Sequence, residues 1–159
     1  MIVMATKNYA GVIGFRVNFV DKITYVHKGE GIEERVLEWC REQKDWRRIR
    51  RLALAMKRVT GEPTDDQILE YCINTEIDIP TGSPDWYEIM RPNQGDLSRI
   101  LAGKFYKDYK EFMLASTLCK FAIIINLDRM ELEVYGKTCL DMSRYRFYYM
   151  TKCIDLRKL

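Results

Sequence analysis

The stretch Phe121-Ala122-Ile123-Ile124-Ile125-Asn126-Leu127-Asp128-Arg129-Met130-Glu131-Leu132-Glu133-Val134-Tyr135 decides the fold class. Phe121, Ile123, Ile125 and Leu127 recur at every second position, the spacing that puts side chains on one face of a strand. Asp128-Arg129 turn the chain, and Leu132 and Val134 then alternate with Glu131, Glu133 and Tyr135. This pattern is a β-hairpin with an apolar and a polar face. Residues 145–154 read as one further strand after it.

At the other end of the chain the same period returns. Val12-Ile13-Gly14-Phe15-Arg16-Val17-Asn18-Phe19 alternates apolar with small or polar residues. A turn is expected at Val20-Asp21-Lys22, and Ile23-Thr24-Tyr25-Val26-His27, β-branched and aromatic, is the second strand of an N-terminal hairpin. Between the two hairpins the period changes. Ile32, Val36, Leu37 and Cys40 recur at helical spacing, as do Trp46, Ile49, Leu52, Ala53 and Met56, with Gly61 and Pro63 as the expected stop. Thr64-Asp65-Asp66-Gln67 is a capping box ahead of a helix through Ile68, Leu69, Tyr71 and Cys72. Ser83-Pro84 has the form of an N-cap followed by proline at the first helical position. Leu97, Ile100 and Leu101 suit a helix stopped at Gly103, and a last helix is expected over residues 106–118. The expected fold is α+β. It has an antiparallel sheet, made from an N-terminal hairpin and a C-terminal hairpin plus strand, packed against a central set of about four to five helices in one domain over residues 1–159.

The chain has 159 residues, 47% hydrophobic and 31% charged, a globular balance. Its longest clean apolar run, Phe121 to Ile125, is far short of a membrane span. Met1-Ile2-Val3-Met4 lacks the form of a signal peptide, and Met4 is an alternative start. Cys40, Cys72, Cys119, Cys139 and Cys153 are odd in number and contain no Cys-x-x-Cys pair. Reduced thiols in the cytoplasm, with neither a disulfide framework nor a zinc ribbon, are the expectation. The single histidine, His27, excludes a histidine-rich metal site, and no cofactor fingerprint is present.

The net charge of +3 is too small to imply nucleic acid, but it is unevenly distributed. Arg41, Lys44, Arg47, Arg48, Arg50, Arg51, Lys57 and Arg58 crowd one segment that holds only Glu42 and Asp45 as acids. If residues 44–58 are one helix, Arg47, Arg51 and Arg58 share a face, as do Lys44 and Arg48, opposite Trp46, Ile49 and Ala53. Such a face suits phosphate, because arginine offers forked donors; it equally suits a solvated amphipathic helix. His27, at a strand end beside glycines, has the pKa of a general base or ligand contact, or is structural. Gly29-Glu30-Gly31 lacks the pattern of a phosphate loop and reads as a turn. Tyr145, Phe147, Tyr148 and Tyr149, with Arg144 and Arg146, suit either base stacking or a core strand. Asp65-Asp66 is explained by a helix N-terminus.

Gly11-Val12-Ile13-Gly14-Phe15-Arg16-Val17-Asn18, with Asp21 to His27, resembles the opening of an uncharacterised bacteriophage and bacterial family. That opening runs Gly-x-Ile-Gly-Phe, then a turn, then Tyr-Asn-His and an Asp-Ser-Tyr-Pro-like stretch. Leu118 to Asp128 and Leu132 to Tyr135 are similar to that family's late hairpin. Val26 stands where the family has Asn, and Lys28-Gly29-Glu30-Gly31 replaces the Asp-Ser-Tyr-Pro stretch, so Tyr25 and His27 are what remains of the motif. The resemblance implies a phage-type accessory protein in the host cytoplasm. The opening also resembles amidohydrolases with an N-terminal nucleophile, but Ala5 follows Met4 where they carry Cys, Ser or Thr.

The preferred expectation is a counter-defence protein that acts by binding, without catalysis. It would hold a nucleotide-like anionic signal or a host protein through Arg16, Tyr25, His27, Lys44, Arg47, Arg48 and Arg51. The alternatives are a small or degenerate amidohydrolase, with Cys40 or Thr24 beside His27, and a nucleic-acid-binding protein using the basic helix 44–58.

Overall fold

The computed structural model of the protein describes residues 9–116, 118–137 and 148–159. The hairpins at the two ends of the chain build one five-stranded sheet, and helices fill the sequence between them, an α+β fold. The strands are β1 (Gly11–Val17), β2 (Val20–Val26), β5 (Phe121–Asn126), β6 (Glu131–Lys137) and β7 (Tyr148–Asp155), in the order β2-β1-β5-β6-β7. Between them run α1 (Ile32–Glu42), α2 (Trp46–Ala55), α3 (Asp65–Thr75), α4 (Trp86–Met90), α5 (Leu97–Gly103) and α6 (Lys110–Ala115). A two-stranded ladder of β3 (Lys57–Arg58) and β4 (Phe105–Tyr106) lies among them.

The sheet is mixed rather than antiparallel. Each hairpin is antiparallel, but β1 and β5 join them in parallel, with Val12 opposite Ala122 and Arg16 opposite Asn126. A parallel pair needs a long crossover, and β2 with the whole helical section supplies it. β5 is therefore central, and all six of its residues are buried. Ile123 and Ile125 join Ile13, Phe15, Val17, Leu132 and Val134 against α1, α2 and α5. Val12, Ile23, Ala122 and Ile124 fill the opposite face under Tyr109, Phe112 and Met113. The expected polar face of the second hairpin is thus also covered, and Glu133 is buried on it.

Several boundaries move, each for a local reason. The first hairpin turns at Asn18-Phe19, not at Val20-Asp21-Lys22; both turn residues have left-handed backbones, φ 50° and 64°. α2 stops at Ala55 instead of continuing to residue 58. The buried Lys22 ammonium donates to the carbonyls of Ala53 (2.7 Å), Leu54 (3.1 Å) and Met56 (2.7 Å), so it terminates the helix. Arg58 consequently lies on β3 and not on the helical face of Arg47 and Arg51, and Lys44 precedes the helix. Asp85, two residues beyond the expected cap Ser83, caps α4. α6 is shorter than expected because Phe105-Tyr106 pair with β3. The Thr64 capping box forms as read. Residues 144–147 and Cys139 lie outside the described residues, and Tyr149 on β7 is exposed.

Gly103 allows α5 to meet α3 closely. A β-carbon there would sit 2.5 Å from the Tyr71 ring. This contact fixes Tyr71, which the candidate site uses.

Candidate functional site

β2 is the edge of the sheet, and the chain from α4 to α6 closes over it. The Tyr109 N–H donates to the Ile23 carbonyl (3.1 Å), pinning that segment to the open edge. Between β2, α4 and β4 lies a cleft walled by Tyr25, Tyr71, Trp86, Tyr87, Tyr106 and Tyr109. The rings contact one another: Tyr25 stacks on Tyr109 at 5.1 Å between centroids, and Trp86 lies 5.7 Å from Phe105 and 6.4 Å from Tyr71. The space within it is about 40 Å³, room for roughly three water-sized groups or the edge of one planar ring. It adjoins a more open hollow of about 310 Å³ that shares Trp86 and Lys107 with it and adds Arg58, Thr60, Asp85 and Asp108.

Two polar groups distinguish this cleft from ordinary core. Trp86 is 3% exposed and Asn93 1%. Among the described residues, neither Trp86 Nε1 nor Asn93 Oδ1 has a hydrogen-bond partner. Both residues line the cleft. The Asn93 amide is anchored by donating from Nδ2 to the Tyr71 hydroxyl at 3.0 Å. A buried indole N–H and amide oxygen left unpaired each cost about 1–3 kcal/mol, so native proteins supply them with partners. A donor and an acceptor set among aromatic faces match the edge and face of a polar planar ring.

Tyr25 lines this cleft; His27 does not, but it contacts two residues that do. The Tyr25 hydroxyl and His27 Nδ1 are hydrogen-bonded at 3.0 Å, and the His27 main-chain N–H donates to Gln94 Oε1 at 3.0 Å. Gln94 also lines the cleft. Burial, with the neighbouring Tyr87 adding to it, raises the Tyr25 hydroxyl above its ordinary pKa. Burial likewise pushes Tyr109 up to about 12. These phenols therefore stay protonated and act as neutral hydrogen-bonding surfaces across the physiological range.

The other sequence candidates lie elsewhere. Arg16 is held by the protein's own carboxylates, with Nε donating to Asp21 at 2.5 Å and Nη1 to Glu133 at 3.1 Å. Glu133 also accepts from Asn126 Nδ2 (2.8 Å) and the Tyr135 hydroxyl (2.5 Å), which satisfies it in the interior. Lys44, Arg47, Arg48 and Arg51 are exposed, and none lines the aromatic cleft or the hollow beside it. No carboxylate among the described residues forms an ion pair with their side chains.

Neither suggested nucleophile is hydrogen-bonded to His27. Cys40 sits in the main core with its thiol pushed up to about 12 by burial, and the Thr24 hydroxyl donates to the Ile13 carbonyl at 2.8 Å. Among the described residues, no three His, Cys, Asp or Glu side chains are grouped to hold a metal ion. No helix of the described residues is long and apolar enough to cross a membrane. Comparisons with family models, curated proteins and solved structures returned no match.

The cleft's main walls, Trp86, Tyr87, Asn93 and Tyr109, are not among the sequence candidates. Their signal was the aromatic density of residues 86–109, broken by an asparagine that the fold buries.

Proposed function

We propose that the protein binds, without catalysis, a nucleotide-like ligand whose planar ring edge enters the cleft between β2, α4 and β4. The observation that carries this reading is the pair of buried atoms without a hydrogen-bond partner among the described residues, Trp86 Nε1 and Asn93 Oδ1, on residues that line an aromatic cleft. A nucleobase has the complementary acceptor and donor on one edge and a π-face for Tyr25 or Tyr87. The adjoining hollow suits the rest of such a ligand. Asp85 and Asp108 can accept from sugar hydroxyls, and Arg58 and Lys107 can meet a phosphate. In the phage setting that the resemblance implies, such a protein would act by sequestering a nucleotide signal.

The test is thermal denaturation against nucleosides, mononucleotides and cyclic nucleotides. A ligand at one hundred times its dissociation constant adds about 2.7 kcal/mol to stability, a shift of several degrees. Trp86→Phe keeps a smaller aromatic ring and deletes the N–H; it should weaken binding about tenfold while leaving the protein folded. No shift with any of these compounds, or an unchanged affinity in Trp86→Phe, would contradict the proposal.

A further inference from the structure

A second surface has a different chemistry and lies away from the cleft. At about 100° per residue, Ile49 and Ala53 of α2 face the core, while Arg47, Arg51 and Arg48 fall on the opposite, solvent-facing arc. They occupy neighbouring turns, as arginines must to meet successive phosphates. Arg50, on the flank of the helix, ties this ridge to the tips of both hairpins. Its Nη2 donates to Asn18 Oδ1 (2.6 Å), and its Nη1 donates to Asp128 Oδ1 and the Leu127 carbonyl (3.2 Å each).

The same Asp128 carboxylate accepts the main-chain N–H groups of Asn18 and Phe19, each at 2.8 Å. It thereby holds Phe19 in the left-handed region with its ring 92% exposed. A phenylalanine at a position that glycine fills more easily, 92% exposed and next to Asn18, which Arg50 contacts, joins none of the core clusters or ring contacts among the described residues.

We infer that α2 and the β1–β2 turn form a binding surface for single-stranded nucleic acid: Arg47, Arg48 and Arg51 take phosphates, and a base stacks on Phe19. Arginine matches phosphate through its planar fork, and an exposed aromatic ring beside a basic track stacks unpaired bases that a duplex keeps hidden.

The experiment is fluorescence anisotropy with labelled oligo(dT), oligo(U) and a duplex of equal length, over a range of salt. Either single strand should bind more tightly than the duplex, and the two single strands together show whether the sugar matters. Phe19→Ala should weaken single-strand binding about 5- to 100-fold without changing its salt dependence. Arg47→Gln with Arg51→Gln should weaken it and lower the salt slope by about 0.7 for each contact removed. All three positions are exposed, so the variants should fold as the parent does.

The inference is overturned if the parent binds no single strand at low salt. It is equally overturned if the duplex binds as tightly and Phe19→Ala has no effect. A protein partner captured on α2 in place of oligonucleotide would also overturn it.

Discussion

Phe19 and Asp128 show how one residue can hold another in a conformation it would not choose. A left-handed backbone costs an L-residue about 1–2 kcal/mol, and glycine escapes that cost. Phe19→Gly should therefore raise stability by about 1 kcal/mol, read as a shift in the denaturant midpoint, while removing the exposed ring. An unchanged or lowered midpoint would mean that the ring packs against something. Asp128 carries the opposite sign. Burial alone would raise its carboxyl, but the N–H groups of Phe19 and Asn18 and the Arg50 guanidinium outweigh burial and hold its pKa below the ordinary carboxylate value. The folded state therefore binds this proton less readily than the unfolded chain. The resulting stabilisation is complete above the ordinary carboxylate pKa and is lost as pH falls through the lower, folded value. Asp128→Asn should cost about 1–2 kcal/mol at neutral pH and flatten the acid limb of a stability–pH curve. An acid limb identical to the parent's would count against the clamp.

At the scale of elements, Lys22 decides where α2 ends. Its ammonium reaches from β2 to three carbonyls at the helix C-terminus and lies 6.0 Å from the Tyr106 ring centre. Burial lowers its pKa, and the carbonyls keep the charge in place. Lys22→Met preserves length and apolar stem but strands those oxygens; a loss of about 2–3 kcal/mol in equilibrium unfolding is expected. A loss under about 0.5 kcal/mol would show that the helix end does not depend on this contact. The strands were legible in the sequence, because Ile13, Phe15 and Val17, like Ile123 and Ile125, recur at the period of two that puts them on one face, although the other face proves to be covered as well. The capping box at Thr64 was legible for the same local reason. The turn at Asn18-Phe19 was not, because the group that stabilises it, Asp128, lies 109 residues away from Phe19. The stop of α2 was hidden in the same way, since Gly61 and Pro63 are local signals and Lys22 is not.

For the whole molecule, the parallel seam between β1 and β5 organises the candidate sites. It buries β5 on both faces, brings Arg16 beside Glu133, and leaves β2 as an edge that the chain from α4 to α6 must cover. The cleft is the space left where that cover meets the edge. Of the residues proposed from sequence, Tyr25 lines it from the edge strand, and His27, just past that strand's end, is hydrogen-bonded to Tyr25 and Gln94 without lining it. Arg16 is drawn into the interior carboxylate network, and Lys44, Arg47, Arg48 and Arg51 stay on the outer face of the α2 segment. No local pattern links Tyr25 to Trp86, Asn93 and Tyr109; they meet only through the fold.

The Trp86 indole N–H reports directly on whether the cleft holds a ligand. In a ¹H–¹⁵N spectrum the three tryptophans, Trp39, Trp46 and Trp86, give separate indole signals, and Trp86→Phe assigns the one in the cleft. Titration with the nucleotide that gives the largest thermal shift should move the Trp86 signal saturably and leave those of Trp39 and Trp46 in place. A Trp86 signal that stays fixed while the protein is stabilised would place the ligand elsewhere and contradict the cleft as the binding site.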